Sequence, residues 1–455
     1  MTARTTARSA GQVGAEPEFR GSGQVLATIA FTLAMIAALA LAQPIVEKPD
    51  ILLPAAVLCA FSLYSFFLCG RKTVTASSVA SYGVLMFIGF PACFGALGLY
   101  NSGQAYTARS LTIVVLLAFL FQAGLLLVAD RLPRISRPSG SGTLGENPAV
   151  ISRVFRLSVV MFVLSLGAHA VGADISAAGF AWVAMLAGTI VTFWSSGMPA
   201  RLRGVAVVAA AFLAETGLSL GGFGRLNLAV LGLSLVVVVS LRTGTWTAKL
   251  ATALLTGPIL WYLVNQRLAY LESQRKGGLV DESEGVGSVV GPFHSAGTIV
   301  EAILQGKVEL SWGKTLFNAA VTGVPRSIWP DKPVGFGREI VELTQPWMTA
   351  TKEHSDAGTF IGEAVWNFGV WLAPVYLFAF IAFIRLLDRK LASLLDRAPQ
   401  FPTFLVLMLV AMLSGTLLNI IWGSWSTAAA RTLFPLALLL GLWFWETRVS
   451  RRRVR

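Results

Sequence analysis

The sequence predicts an all-α polytopic membrane protein. Three observations carry that prediction. The 455-residue chain is 55% hydrophobic and only 13% charged, with a mean hydropathy of +0.69; a soluble domain cannot hide that much apolar surface. The apolar residues fall in repeated runs of about 20, the length that crosses a bilayer. Lys and Arg are sorted between alternate connections, as the positive-inside rule requires.

The elements follow in order. Residues 1–24 are polar and rich in Gly, Ala, Ser and Thr, and read as a disordered tail. About twelve helical spans are predicted, near 25–43, 51–70, 79–99, 110–129, 154–172, 177–196, 202–220, 226–241, 248–265, 361–384, 402–422 and 428–446. The first is too long for a signal-peptide core and reads as a retained helix. Spans one to nine thus occupy 25–265, and spans ten to twelve occupy 361–446. One long polar stretch, 266–360, separates them, and a basic tail, 447–455, follows the last.

Placing the N-terminus in the cytoplasm and alternating puts 23 of the 36 Lys and Arg on the cytoplasmic side. Only Lys48, Arg109, Arg225 and Arg431 fall on short outer connections, and nine more fall on 266–360. Both termini are therefore expected in the cytoplasm and 266–360 outside. The net charge of +13 is topology signal, not a nucleic-acid footprint. Cys59, Cys69 and Cys93 all lie in apolar runs and read as small buried hydrophobes, with no disulfide framework or zinc site.

The long stretch divides by composition. Residues 277–297, GGLVDESEGVGSVVGPFHSAG, read as a mobile strap or lid. Residues 298–322 carry apolar positions at helical spacing broken by glycines, and predict short helices on the membrane surface. In VPRSIWPDKP, 324–333, three prolines forbid a regular helix. Glu215 and His169 fall inside spans, where an ionisable residue is a functional candidate by default. Each also has a plain reading: His169 bonding a neighbouring helix, Glu215 pairing with Arg225. Likewise Trp329, Trp347 and Trp366 read equally as interface anchors.

The functional reading starts from cations. Arg225 opens span eight after a GGFG turn; Arg326, Lys332 and Arg338 lie on the long stretch; Arg431 opens span twelve. This plan brings five cations to the outer face, where a lipid headgroup sits. Guanidinium forks match phosphate oxygens, and cations stabilise a leaving diphosphate without a metal. No acidic metal-site pattern stands out.

GKTLFNAAVTGVPRSIWPDKPVGFGREI at 313–340 and GTFIGEAVWNFGVW at 358–371 resemble the oligosaccharide repeat-unit (O-antigen) polymerases, bacterial membrane glycosyltransferases of the GT-C type. The matching elements are Gly313, PR-x-x-W-P-x-KP at 325–333 and G-E-x-x-x-N-F-G at 362–369; GGFGR at 221–225 resembles the family's turn ahead of a span. The resemblance implies a GT-C-like bundle in the bacterial plasma (inner) membrane, with one large extracytoplasmic loop and an outward-facing site. It implies a glycan donor on undecaprenyl diphosphate and an acceptor hydroxyl on another lipid-linked unit. Transfer inverts the anomeric carbon and needs no cofactor or metal. Membrane lipids and a chain-length regulator are the partners it implies.

Such a transfer needs charge stabilisation on the diphosphate and a base near the acceptor hydroxyl. The expected diphosphate ligands are Arg225, Arg326, Lys332, Arg338 and Arg431. The acid–base candidates are His354, Glu363, Asp356 and His294, histidine having the more suitable ordinary pKa. Trp329 and Trp366 are expected to stack on sugars. A base is dispensable if the diphosphate leaves readily. Two other readings stay open: a ligase of the same architecture with a different acceptor, and a flippase. The chain shows no convincing internal repeat of the kind transporters carry.

Overall fold

A computed structural model describes residues 49–98, 106–129, 147–219, 225–255, 265, 282–344, 355–395 and 400–454. All of its secondary structure is helical. The helices are α1 (Pro49–Leu68), α2 (Ala76–Val84), α3 (Phe90–Ala96), α4 (Ala108–Ala129), α5 (Pro148–Ala170), α6 (Asp174–Trp194), α7 (Met198–Ser219), α8 (Arg225–Thr243), α9 (Glu282–Leu304), α10 (Lys314–Ala320), α11 (Phe336–Thr344), α12 (Thr359–Leu395), α13 (Phe401–Trp422) and α14 (Trp425–Val454). A π-turn, Leu85–Gly89, joins α2 to α3 in one continuous rod.

Among the described residues nine helices are long and apolar enough to cross a membrane. They are α1, the α2–α3 rod, α4, α5, α6, α8, α12, α13 and α14. The chain is a polytopic membrane protein. Of the twelve spans expected, 25–43 lies outside the described residues, and 248–265 is described to residue 255 and at 265. The span expected at 202–220 forms helix α7, which is not among the nine; it carries Arg201, Arg203 and Glu215.

The helices run up and down, and their end contacts agree on which ends lie together. At one end Lys249 donates to the carbonyls of Phe66 (2.6 Å), Phe67 (3.0 Å) and Cys69 (2.5 Å), where α1 stops. Asp388 of α12 accepts from the amide of Ser77 (3.3 Å) and its hydroxyl (2.5 Å), where α2 starts. A cation thus meets a helix C-terminus and a carboxylate meets an N-terminus, the signs that helix dipoles favour. Arg153 of α5 pairs with Glu446 of α14 at 2.8 Å at this same end. The other end, here the loop end, carries residues 305–344 and the starts of α4, α8, α12 and α14. Here His169 of α5 lies 3.5 Å from Glu215 of α7, in contact with a neighbouring helix.

Helix α13 is the axis, packed by α2, α8, α12 and α14. It buries Phe404, Met408, Ala411 and Leu417. Between helices in lipid, close packing and small residues replace the hydrophobic drive. That logic corrects one sequence expectation. The strap expected at 277–297 is helical from residue 282 onward, within α9, with Phe293, His294, Ala296 and Ile299 fully buried. Gly297 is a contact point. A Cβ on Gly297 would lie 2.4 Å from the Leu111 side chain of α4, so a larger residue there would force that side chain to move. The surface helices expected over 298–322 are correspondingly changed: 298–304 completes buried α9, and only α10 is a short separate helix. Outside the spans, the Thr107 hydroxyl reaches Glu301 of α9 at 2.5 Å and holds that carboxyl below its usual range.

Candidate functional site

The loop end is organised by a break in α12. Gly369 has φ 70° and ψ 171°, a conformation outside the helical region that essentially only glycine adopts. A break frees carbonyls from the helical ladder, and freed backbone groups at membrane depth need partners. They find them in the preceding loop. The Ser311 amide donates to the Trp366 carbonyl and the Trp312 amide to the Asn367 carbonyl, each at 3.0 Å. The Gly313 amide donates to Asn367 Oδ1 at 2.9 Å. Gly313 itself has φ 86° and heads α10. The break therefore docks residues 311–313 against α12 and sets where α10 begins.

Beneath this dock lies Glu363, fully buried. Its carboxylate accepts from Thr315 Oγ1 of α10 at 3.0 Å and from the backbone amide of Trp425, the first residue of α14, also at 3.0 Å. Tyr376 Oη stands 3.5 Å away and accepts the Trp425 indole N–H at 2.7 Å. Asn367, one turn along α12, donates to Thr315 Oγ1 at 2.7 Å and to the Glu363 carbonyl at 2.8 Å. The two sequence motifs, one around 313–315 and one at 362–369, thus close on each other as one buried hydrogen-bonded unit. It joins α10, α12 and α14.

An open groove of about 530 Å³ adjoins the unit, lined by Leu310, Ser311, Lys314, Glu339, Glu342 and Trp366 among others. Trp366 is buried, donates its indole N–H to Glu339 Oε2 at 2.6 Å and packs edge-on against Phe336. Lys314 lies 3.3 Å from the same glutamate. Polar groups beside an aromatic wall are what a sugar-sized, hydroxyl-rich ligand needs.

The remaining predicted residues divide. Arg326 donates to the carbonyls of Pro330 and Lys332, both at 3.0 Å, and Lys332 donates to those of Thr322 (3.1 Å) and Val324 (2.9 Å). The two cations of VPRSIWPDKP tie their own loop into a knot. Arg338 faces Glu342 at 3.7 Å, one turn on. Trp329 packs on Phe317 of α10 with ring centres 6.1 Å apart. Asp356 accepts from the Ala357 amide at 2.8 Å and the Ser295 hydroxyl at 3.3 Å, joining the start of α12 to α9. His294 is fully buried on α9, 5.1 Å from the Tyr106 ring. His354 and Trp347 lie outside the described residues, as does the side chain of Arg225, whose backbone starts α8. Arg431, in the second turn of α14, donates to Asn419 Oδ1 at 3.0 Å and lies 5.4 Å from the centre of the Trp422 ring. Among the described residues no cluster of three or more His, Cys, Asp or Glu is placed to hold a metal ion.

Sequence reasoning had Asn367 as a fixed position of the 362–369 motif but gave it no role, and did not single out Thr315, Tyr376, Glu339 or Asn419. Asn367 was within reach, because it stands four residues after Glu363 and so shares its helix face. Tyr376 was not, since the break at Gly369 resets the helical phase between it and Glu363. Comparison with family models, curated proteins and solved structures finds no match for this chain.

Proposed function

We propose that the protein is a membrane glycosyltransferase that polymerises oligosaccharide repeat units carried on undecaprenyl diphosphate. The observation that carries this reading is the closure of the two motif segments into one unit, Thr315–Glu363–Asn367, directly beside a groove walled by Trp366. These segments also carry the resemblance to repeat-unit polymerases. Under this reading the loop end faces outward from the bacterial plasma membrane, both termini are cytoplasmic and the bundle is GT-C-like.

In the reaction the acceptor hydroxyl attacks the anomeric carbon from the face opposite the diphosphate. A carbon–oxygen bond forms, the bond to the diphosphate breaks, and undecaprenyl diphosphate leaves with the bonding pair. Cationic donors at the loop end stabilise its charge, so a metal is not required. The hydroxyl proton passes to Asp356, just ahead of α12, to His354, or to the departing phosphate. Glu363 is a positioning residue here: Thr315 and Trp425 already occupy its oxygens and solvent does not reach it. It fixes α10, and with it the groove wall, relative to α14.

Deleting the gene and analysing the lipid-linked intermediates tests the reading. Single lipid-linked repeats accumulating on the outer face are the expected result. Accumulation of full-length lipid-linked polymer would make the protein a ligase, and accumulation of repeats on the inner face would make it a flippase; either overturns the polymerase assignment.

A further inference from the structure

Five cations were expected at a diphosphate, and the described side chains do not treat them alike. Arg326 and Lys332 spend their donors on backbone carbonyls of their own loop, and Arg338 faces a carboxylate. Arg431 differs. It lies within a membrane-crossing helix, and among the described residues no carboxylate pairs with it. A guanidinium offers five N–H donors; the one bond it makes in the described residues goes to a neutral amide, Asn419 Oδ1. The Trp422 ring steadies the group from one side. An uncompensated charge at membrane depth is costly and marks a function by default.

A second, independent observation points to the same place. Asn419 is fully buried, and its Nδ2 has no hydrogen-bond partner. A buried orphan donor costs on the order of a lost hydrogen bond, and this one belongs to the very amide that holds Arg431. A third comes from register. Gly415 of α13 lies against Val230 and Ser234 of α8, and the two helices run antiparallel. One turn toward the loop end brings Asn419 level with the first turn of α8, the end of a helix that carries partial positive charge.

We infer that Arg431 and Asn419, with the start of α8, form a recognition site for the phosphate group of a lipid. Phosphate oxygens supply what both side chains lack, several acceptors carrying negative charge. A lipid is the carrier because the site lies within a spanning helix. That the lipid is an isoprenoid diphosphate rests on the transferase reading; that it carries phosphate does not. Arg326 and Lys332 become braces of the loop and not ligands.

The test uses the full chain in phosphatidylcholine nanodiscs, with farnesyl diphosphate as probe, farnesol as its phosphate-free control and phosphatidic acid as the alternative lipid. Farnesyl diphosphate is expected to bind at least about 100-fold more tightly than farnesol. Asn419→Leu and Arg431→Gln should each weaken it at least about tenfold, the loss of one charge-assisted bond, while Arg326→Ala leaves it unchanged. Should Arg431→Gln fail to fold, Arg431→Lys, which keeps the charge and loses the fork, and Asn419→Leu decide. Equal binding by both folded variants, or by farnesol, overturns the site. Phosphatidic acid displacing the probe at equal affinity upholds a phosphate site and removes the isoprenoid as its specific ligand. Tight, Arg431-dependent binding without any glycosyl transfer refutes the transferase reading and leaves this site standing.

Discussion

Replacing Glu363 by leucine is the sharpest probe of the loop end. The carboxylate is fully buried and accepts two hydrogen bonds at 3.0 Å, from Thr315 Oγ1 and the Trp425 amide. Leucine keeps the volume and strands both donors. Each buried, unsatisfied donor costs about 1–3 kcal/mol, so the variant should lose about 2–6 kcal/mol. Tyr376 donates its hydroxyl to the same carboxylate at 3.5 Å, a long bond that adds little. Thr315→Val removes one of the two bonds alone and should cost less. In the double variant the pair should show a coupling of at least ~1 kcal/mol, as contacting residues in one network do. Reversible SDS titration in mixed micelles reads all four corners of the cycle. A loss below ~0.5 kcal/mol for Glu363→Leu, or no coupling to Thr315, would refute the claim that this carboxylate joins α10 to α14.

Three further outcomes follow from the same contacts. Gly369→Ala forces a side chain into φ 70°, ψ 171° and should cost about 1–3 kcal/mol, with faster hydrogen exchange at the Ser311 and Trp312 amides that dock on the break. Lys249→Met leaves the three carbonyls at the end of α1 without their cation and should lower stability by about 2–4 kcal/mol; thermal melting in detergent checks it, and an unchanged midpoint refutes it. Arg326→Ala opens the knot of 325–333, so limited proteolysis should cut there faster than in the parent while the melting of the bundle stays the same.

The spanning helices were legible because bilayer thickness writes itself into the length of apolar runs. Charge sorting gave an expected orientation, and the contacts of Lys249, Asp388 and Arg153 show which helix ends lie together. Helix α9 was hidden. The stretch 277–297 contains DESEG and six glycines, which by composition spell a flexible segment, yet glycine at 297 serves close approach to Leu111. Composition reports what a residue prefers alone, and packing decided otherwise. Glu363 and the 325–333 brace were visible as a motif. What the motif could not reveal is where side chains spend their donors: Arg326 and Lys332 turn back on their own loop, whereas Arg431 donates to the Asn419 amide beside the Trp422 ring. Thr315, 48 residues from its carboxylate, had no local signal at all.

Reconstitution of the purified chain with a lipid-linked repeat unit, with no nucleotide sugar or metal added, measures the central claim directly. The account predicts a ladder of products spaced by one repeat, with one undecaprenyl diphosphate released per added unit. Folded protein that releases no undecaprenyl diphosphate and leaves the repeat units single would contradict it.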